Sequence, residues 1–194
     1  HHGPNASQRV IERLARAAEQ IVVSHDALAQ RMHGHGAAVR VVPDALNEAL
    51  WLPPLAPVVR PGFVKRHAAE RCMLVLADRR AMPDVHLLSA ALAQVRARGI
   101  DVRAIVVGPE PEAADGVEHL PVPADVRDHA GFVVWLRHQA SQMDLALALR
   151  LASRQMEAPS LGHATYGALG LPTLFSDIAC YRDVVRSGVT GLLV

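Results

Sequence analysis

The sequence lacks the features that mark several classes of protein. No apolar run approaches the roughly 18 to 20 residues that a membrane-spanning helix needs. Even the stretch 50–59 is interrupted by three prolines. Neither sign of charge predominates, because 20 lysine and arginine residues stand against 19 aspartate and glutamate residues. A nucleic-acid partner or an anionic membrane surface is therefore not expected.

Cysteine and lysine are both scarce. Cys72 and Cys180 lie far apart in apolar surroundings, which indicates buried thiols in a reducing compartment and not a disulfide. We therefore expect a cytoplasmic location, with any association with the inner face of a membrane left to other parts of a parent protein. Lys65 is the only lysine, so any phosphate would be bound by arginine, backbone N–H groups or helix ends.

The sequence also lacks the strong mechanistic motifs. It contains no GxGxxG, P-loop, CxxC or HExxH pattern, and the missing glycine fingerprint argues against a nicotinamide-dependent oxidoreductase. His33 and His35 come nearest to a metal pair, but without cysteine or carboxylate ligands nearby they are more typical of a polar turn. We expect no metal site.

What the chain does contain is the composition of a packed domain, with 51% hydrophobic and 20% charged residues among 194. Short apolar segments alternate with amphipathic ones in its second part. The pattern predicts strands at 73–76, 102–107, 144–149 and 173–175, an extended piece at 117–122, and helices at 85–98, 132–139, 161–169 and 181–186. This alternation predicts an α/β domain with a doubly wound, Rossmann-like parallel sheet.

Composition divides the chain into four parts. Residues 1–7 are interpreted as a tag and linker remnant, and 8–51 as a helix–strand–helix–strand lead-in. Residues 52–62 hold four prolines and are the best candidate for a linker. Residues 63–194 form the Rossmann-like domain, which we expect to be truncated at its C-terminus because the sequence stops within an apolar segment.

Two loops are placed to bind a ligand, because doubly wound sheets bind ligands where strands end. The first follows the strand at 73–76 and contains Arg79 and Arg80, which suit a diphosphate. The alternative is that both are solvated surface arginines. In the second loop Ser160 would cap a helix and present the N–H groups of Leu161 and Gly162 to an anion. An ordinary capped helix is the alternative there.

The C-terminal part of the chain carries a recognisable pattern. The segments GALGLPTLFSD (167–177) and YRDVVRSGVTGLLV (181–194) resemble the retaining, group 1 type glycosyltransferases of the GT-B fold. Weaker similarities to the same family lie earlier in the chain, at 18–29, 39–51 and 132–148, and they occur in the order that the family has. The resemblance covers nearly the whole chain from about residue 8 onward.

This resemblance implies the nucleotide-sugar-binding half of a two-domain enzyme. Such an enzyme transfers a sugar from a nucleotide-diphosphate sugar to a growing polysaccharide, as in bacterial O-antigen biosynthesis. It needs no cofactor besides the donor substrate. A polysaccharide or lipid-linked glycan acceptor would be bound by an N-terminal half. The isolated chain is accordingly expected to be inactive.

The resemblance also implies roles for the loop residues. Arg79 and Arg80 would neutralise the departing diphosphate, and the N–H groups of residues 160–162 would add the field of a helix end. Thr165 and Glu157 would hold hydroxyl groups of the ribose or the sugar. No metal is needed in this arrangement.

The chain departs from the family pattern at several of these positions. Thr165 replaces the second of two glutamates, the first being Glu157, and Ala158 stands where related enzymes have a lysine. Ala77 replaces a glycine, and its methyl group would crowd a diphosphate. A second hypothesis follows: a degenerate, non-catalytic GT-B domain that acts as a scaffold or interaction module in a larger polysaccharide-assembly protein.

Overall fold

The computed structural model describes residues 6–24, 26–54, 63–77, 85–149 and 162–194. The chain divides into two compact units, one containing the described residues up to Ala45 and one beginning at Leu46. None of the helices in these ranges is long and apolar enough to cross a membrane.

The first unit is built around two short parallel strands. Its elements are α1 (Ala6–Ala17), β1 (Gln20–Val23), α2 (Asp26–Met32), a 3₁₀ turn (His33–His35) and β2 (Ala38–Val41). β1 and β2 pair in parallel. The order of helix, strand, helix and strand agrees with the sequence prediction. His33 and His35 lie together in the turn, as their glycine-rich surroundings predict.

The second unit contains a six-stranded sheet in which every neighbouring pair is parallel. Its elements in chain order are α3 (Glu48–Trp51), β3 (Arg71–Leu76), α4 (Val85–Ala97), β4 (Val102–Val107), β5 (Val117–Leu120), α5 (His129–Ala140), β6 (Leu145–Ala148), α6 (Gly162–Ala168), β7 (Thr173–Phe175), α7 (Ala179–Arg182) and β8 (Leu192–Leu193). The strand order across the sheet is β5-β4-β3-β6-β7-β8. The chain thus winds outward from β3, returns to the centre and winds outward again from β6, which confirms the doubly wound, Rossmann-like prediction.

Both faces of the sheet are covered, which explains why its central strands consist mostly of apolar residues. Successive side chains of β3 alternate between two hydrophobic clusters, with Cys72 and Leu74 in one and Met73 and Val75 in the other. The first cluster lies on the face covered by α3, α5, α6 and α7, and the second lies on the face covered by α4. All six residues of β4 are buried. A shift of one residue in the strand pairing would move every side chain of β3 into the opposite cluster.

Two short elements differ from the sequence prediction. The final helix ends at Arg182 and not near residue 186, because the Tyr181 carbonyl accepts both the Val184 N–H (3.1 Å) and the Val185 N–H (2.7 Å) and closes a turn. Helix α3 was not predicted. It begins where the Asn47 side chain accepts the Ala49 N–H at 3.0 Å, and it is too short for a helical period to show in the sequence.

The aromatic and cysteine predictions concern the core. Trp51 and Trp135, expected in the core, are each 3% exposed. Cys72 is a buried free thiol, as predicted, and burial raises its pKa to about 11. The Cys180 side chain lies outside the described part of the structure. The proposed linker at 52–62 also falls largely outside the described residues, which stop at Pro54 and resume at Phe63.

A buried ion pair joins three strands at the amino edge of the sheet. The Arg103 guanidinium donates to both carboxylate oxygens of Glu70, at 2.9 and 3.1 Å, and also to Glu118. The same guanidinium lies over the Phe63 ring, 4.6 Å from its centroid. The Glu70 side chain is fully buried and that of Arg103 is 5% exposed. This bidentate geometry is the one in which arginine binds carboxylate most firmly.

The ion pair sets the protonation of Glu70. Burial acts to raise the pKa of its carboxyl group, but the hydrogen bonds from Arg103 and from the Arg66 backbone N–H outweigh burial, and the pKa lies below its ordinary value. A folded-state pKa below the unfolded one stabilises the fold at neutral pH. That contribution is present above the unfolded pKa and is lost as the pH falls through the folded pKa.

We predict that Glu70→Gln lowers the free energy of unfolding by about 3 kcal/mol at pH 7, because it leaves the buried charge of Arg103 unpaired. Glu118→Gln is the matched control. The Glu118 side chain is 44% exposed, so its loss should cost less than about 1 kcal/mol. Urea unfolding at pH 7 and at a series of acidic pH values measures both. Equal losses in the two variants, or an unchanged acid dependence in Glu70→Gln, would show that the pair contributes little.

Candidate functional site

The strand order creates a crevice at the centre of the sheet. The connection after β3 leads toward β4 on one side, and the connection after β6 leads toward β7 on the other. The two strands are neighbours, so their carboxyl ends at Leu76 and Ala148 flank the point where the winding direction changes. Doubly wound sheets bind their ligands at this switch point.

The two strands at the switch point separate as they approach the crevice. β3 and β6 are in register at only two pairs, Met73 with Leu145 and Leu74 with Ala146. On its other side β3 pairs with β4 along all six of its residues. The sheet is therefore continuous at the amino end of the β3–β6 pair and open at the carboxyl end.

A tyrosine hydroxyl occupies the gap between the separating strands. Tyr166 on α6 accepts a hydrogen bond from the Leu76 backbone N–H at 2.8 Å and donates one to the Leu147 carbonyl at 3.1 Å. Its side chain is 2% exposed and belongs to the larger hydrophobic cluster. The hydroxyl thus satisfies two buried backbone groups that the divergence of the strands would otherwise leave without partners.

The end of β3 is also held closely against the end of β4. The Ala77 N–H donates to the Val107 carbonyl at 2.9 Å. The residue directly after that strand, Gly108, has φ +135°, and a Cβ placed there would lie 2.2 Å from the Ala77 carbonyl oxygen. His119 fixes the same turn through a hydrogen bond between its Nε2 and the Gly108 carbonyl at 2.9 Å. A glycine is therefore required for this approach of the two backbones.

The methyl group of Ala77 packs against the protein itself. Ala77 is partly buried against the cluster on the α4 face of the sheet. Ala77 thus serves the packing between β3 and α4.

Of the seven predicted donor-binding residues, two lie in the described part of the structure. Gly162 is the first residue of α6, and Thr165 lies one turn further along the same helix and is 7% exposed. The helix that carries both also carries Tyr166, whose hydroxyl lies between the two strand ends. The other five lie outside the described residues: Arg79, Arg80, Glu157, Ser160 and Leu161.

A salt bridge lies beyond the end of β7, on the same edge of the sheet. The Arg182 guanidinium donates to both carboxylate oxygens of Asp177, at 2.6 and 2.9 Å. This hydrogen bonding lowers the pKa of the Asp177 carboxyl group below its ordinary value. Both side chains are about half exposed, at 59% for Arg182 and 47% for Asp177, so the pair is accessible from solvent.

The described residues contain no group of three or more histidine, cysteine, aspartate or glutamate side chains that could hold a metal ion. Tyr166 was not predicted as a site residue. The one signal for it in the sequence is a large polar side chain in a helix of otherwise small residues, GHATYGA.

Comparison with known proteins supports the fold. The sequence matches no protein-family model, and no curated protein matches it. Several solved structures are similar. They include TarM (TM-score 0.61, 12% identity), over 98% of this chain and 36% of that one. HepE of Anabaena, in complex with UDP and glucose, matches with TM-score 0.61 and 14% identity, over 96% of this chain and 52% of that one.

A third similar structure is the pneumococcal O-GlcNAc transferase GtfA in complex with UDP and GlcNAc. It matches with TM-score 0.60 and 14% identity, over 98% of this chain and 36% of that one. These identities establish similarity of fold, in agreement with the Rossmann-like prediction. The chain spans between about a third and a half of the length of these proteins.

The close approach of β3 and β4 gives a prediction. Gly108→Ala should cost at least about 2 kcal/mol of folding free energy, because the added Cβ meets backbone at a positive φ. Gly99→Ala is the matched control: Gly99 also has a positive φ (+82°), but no atom lies within 4 Å of a Cβ placed there, so about 1 kcal/mol is expected. Chemical denaturation of both variants provides the comparison. A Gly108→Ala loss no larger than that of Gly99→Ala would contradict the steric argument.

Proposed function

We propose that this chain is the nucleotide-sugar-binding half of a GT-B glycosyltransferase of the retaining, group 1 type. The enzyme transfers a sugar from a nucleotide-diphosphate sugar to a bacterial surface polysaccharide of the O-antigen kind. The observation that carries the proposal is the open switch point between β3 and β6, because both predicted ligand loops continue from these two strand ends. Two of the solved structures with a similar fold contain UDP together with a sugar.

The arginines after β3 supply the main electrostatic contribution. Sugar transfer leaves negative charge on the departing diphosphate, and preorganised positive charge stabilises that charge in the transition state. Arg79 and Arg80 follow Ala77 by two and three residues in the sequence, so in this proposal they bind the diphosphate from the segment after β3. The planar guanidinium group forms paired hydrogen bonds with phosphate oxygens, so two arginines can neutralise a diphosphate without a metal ion.

The segment that leads into α6 supplies the remaining contacts. Backbone N–H groups of residues 160–162 face the diphosphate at the start of the helix, and Glu157 and Thr165 bind hydroxyl groups of the ribose or the sugar. A threonine hydroxyl is a weaker acceptor than a carboxylate, so in this proposal the arginines contribute more of the donor affinity than the ribose contacts do.

The acceptor is bound by another part of the enzyme. In this proposal a polysaccharide or lipid-linked glycan binds to an N-terminal half, and sugar transfer takes place between the two halves. The chain spans about a third to a half of the similar solved structures. The free, buried thiol of Cys72 supports a cytoplasmic location, where thiols remain reduced.

Calorimetric titration with UDP, GDP and their sugar conjugates at low salt tests the proposal. We expect one nucleotide to bind, and the double variant Arg79→Ala, Arg80→Ala to bind it at least about a hundredfold more weakly, because each charged hydrogen bond contributes about 1.5–3 kcal/mol. The matched control removes two exposed arginines elsewhere, Arg40→Ala and Arg98→Ala, and should leave the affinity within about twofold.

Two results would contradict the proposed binding of a nucleotide sugar by this chain. One is the absence of binding at millimolar concentrations of every nucleotide, which would favour a non-catalytic scaffold. The other is an equal loss in the Arg79, Arg80 variant and in the control, which would reduce the effect to net charge. Sugar transfer by the 194-residue chain alone would contradict the assignment of the acceptor site to a separate half.

A further inference from the structure

We propose that the hydroxyl group of Tyr166 sets the width of the crevice between β3 and β6 and so positions both strand ends for a nucleoside diphosphate. Tyr166 is a positioning residue, because it acts through the backbone of the two strands and is itself 2% exposed. This inference rests on the proposed function, since it concerns the same crevice.

The hydrogen bonds of Tyr166 define the separation of the strands. Its oxygen lies 2.8 Å from the Leu76 nitrogen and 3.1 Å from the Leu147 oxygen. In a continuous ladder a donor and its acceptor lie about 2.9 Å apart. With one oxygen between them at a normal hydrogen-bond angle, the two backbone atoms are held at about 5 Å. The hydroxyl therefore replaces direct ladder pairing and adds a fixed spacing.

Packing holds this hydroxyl in place. The Tyr166 ring belongs to the larger core cluster together with Leu74, Ala146 and Ala148 of the two strands. A ring enclosed in this way has little freedom to swing, so the spacing of the strands is fixed to the position of α6. The same helix carries Gly162 and Thr165, two of the predicted donor-binding residues. Tyr166 thus connects α6 and the two strand ends in one arrangement.

Removal of the hydroxyl would change the crevice in one of two ways. The Leu76 N–H and the Leu147 carbonyl would pair with each other, which narrows the crevice, or they would remain buried without partners, which loosens it. Either change moves the ends of β3 and β6, from which both ligand loops continue. A ligand that spans the two loops would lose contacts in both cases.

The substitution Tyr166→Phe tests the proposal, because it removes the hydroxyl and keeps the ring. Tyr181→Phe is the matched control. Tyr181 is 1% exposed, belongs to the same core cluster and packs 5.0 Å from the ring of Phe175 on β7. The dissociation constant of UDP, or of GDP if that is the nucleotide bound, is measured at 10 °C after thermal unfolding has established that each variant is fully folded there.

We expect Tyr166→Phe to bind the nucleotide at least about tenfold more weakly and Tyr181→Phe to remain within about twofold of the wild-type chain. A purely structural role would lower the melting temperature without altering the affinity of the folded protein. Equal affinity of Tyr166→Phe and the wild-type chain would therefore overturn this inference and leave the proposed function standing. Absence of nucleotide binding by the wild-type chain would overturn the proposed function, and with it this inference.

A measurement on the wild-type chain covers the case in which Tyr166→Phe does not fold. If the strand ends are positioned for the ligand, saturation with the bound nucleotide should shift the amide resonance of Leu76 in a two-dimensional NMR spectrum. The amide of Leu92, buried in α4 on the other face of the sheet, is the internal control. A Leu76 resonance that moves no more than that of Leu92 would overturn the proposal.

Discussion

The junction between β3 and β6 is the constraint on which the rest of the second unit depends. Only two residue pairs join the strands directly, and polar side chains hold the junction at both ends. At the amino end the Asp144 N–H donates to the Cys72 carbonyl at 2.8 Å, and the Asp144 carboxylate accepts the Cys72 N–H at 2.8 Å and Lys65 Nζ at 2.7 Å. At the carboxyl end the Tyr166 hydroxyl replaces the ladder. One end is thereby closed and the other is held open, which is the geometry that a switch-point crevice requires.

The most buried charged pairs among the described residues lie at the amino edge of the sheet. They are Glu70 with Arg103 and Asp144 with Lys65. Burial alone would raise the pKa of the Asp144 carboxyl group, but hydrogen bonds from Lys65 and from the Cys72 N–H hold it below its ordinary value. These carboxylates are therefore ionised and fully engaged at neutral pH, and they stabilise the edge opposite the crevice.

Local sequence pattern accounts for most of the fold and for less of the site. The strands were predictable because burial on both faces leaves β3 and β4 without polar residues, apart from Arg71 at the start of β3 and the paired Arg103 in β4. The four-residue helix α3 was not predictable, since its one signal is the capping side chain of Asn47. The role of Tyr166 depends on a hydrogen bond to Leu76, 90 residues away along the chain, and no periodicity records such a contact. The arginine and helix-start predictions rest on loop position, and most of those residues lie outside the described ranges.

The residues at the ends of β3 and β4, Ala77 and Gly108, affect how this crevice would hold a diphosphate. The glycosyltransferases that the sequence resembles have a glycine where this chain has Ala77, and a glycine there would let the backbone approach a phosphate closely. Here the methyl of Ala77 packs on the α4 face, and the close backbone approach is made between Ala77 and Gly108, within the protein. Because that approach joins β3 to β4, it fixes the starting point of the loop that carries Arg79 and Arg80.

In the proposed function the binding energy that backbone N–H groups would supply is then replaced by guanidinium charge. Arginine side chains reach further than backbone groups, so a diphosphate can be bound without direct contact with the end of β3. Donor affinity in such a site depends on ionic strength more strongly than it would in a site formed by backbone N–H groups, because charge and not close fit supplies most of the affinity.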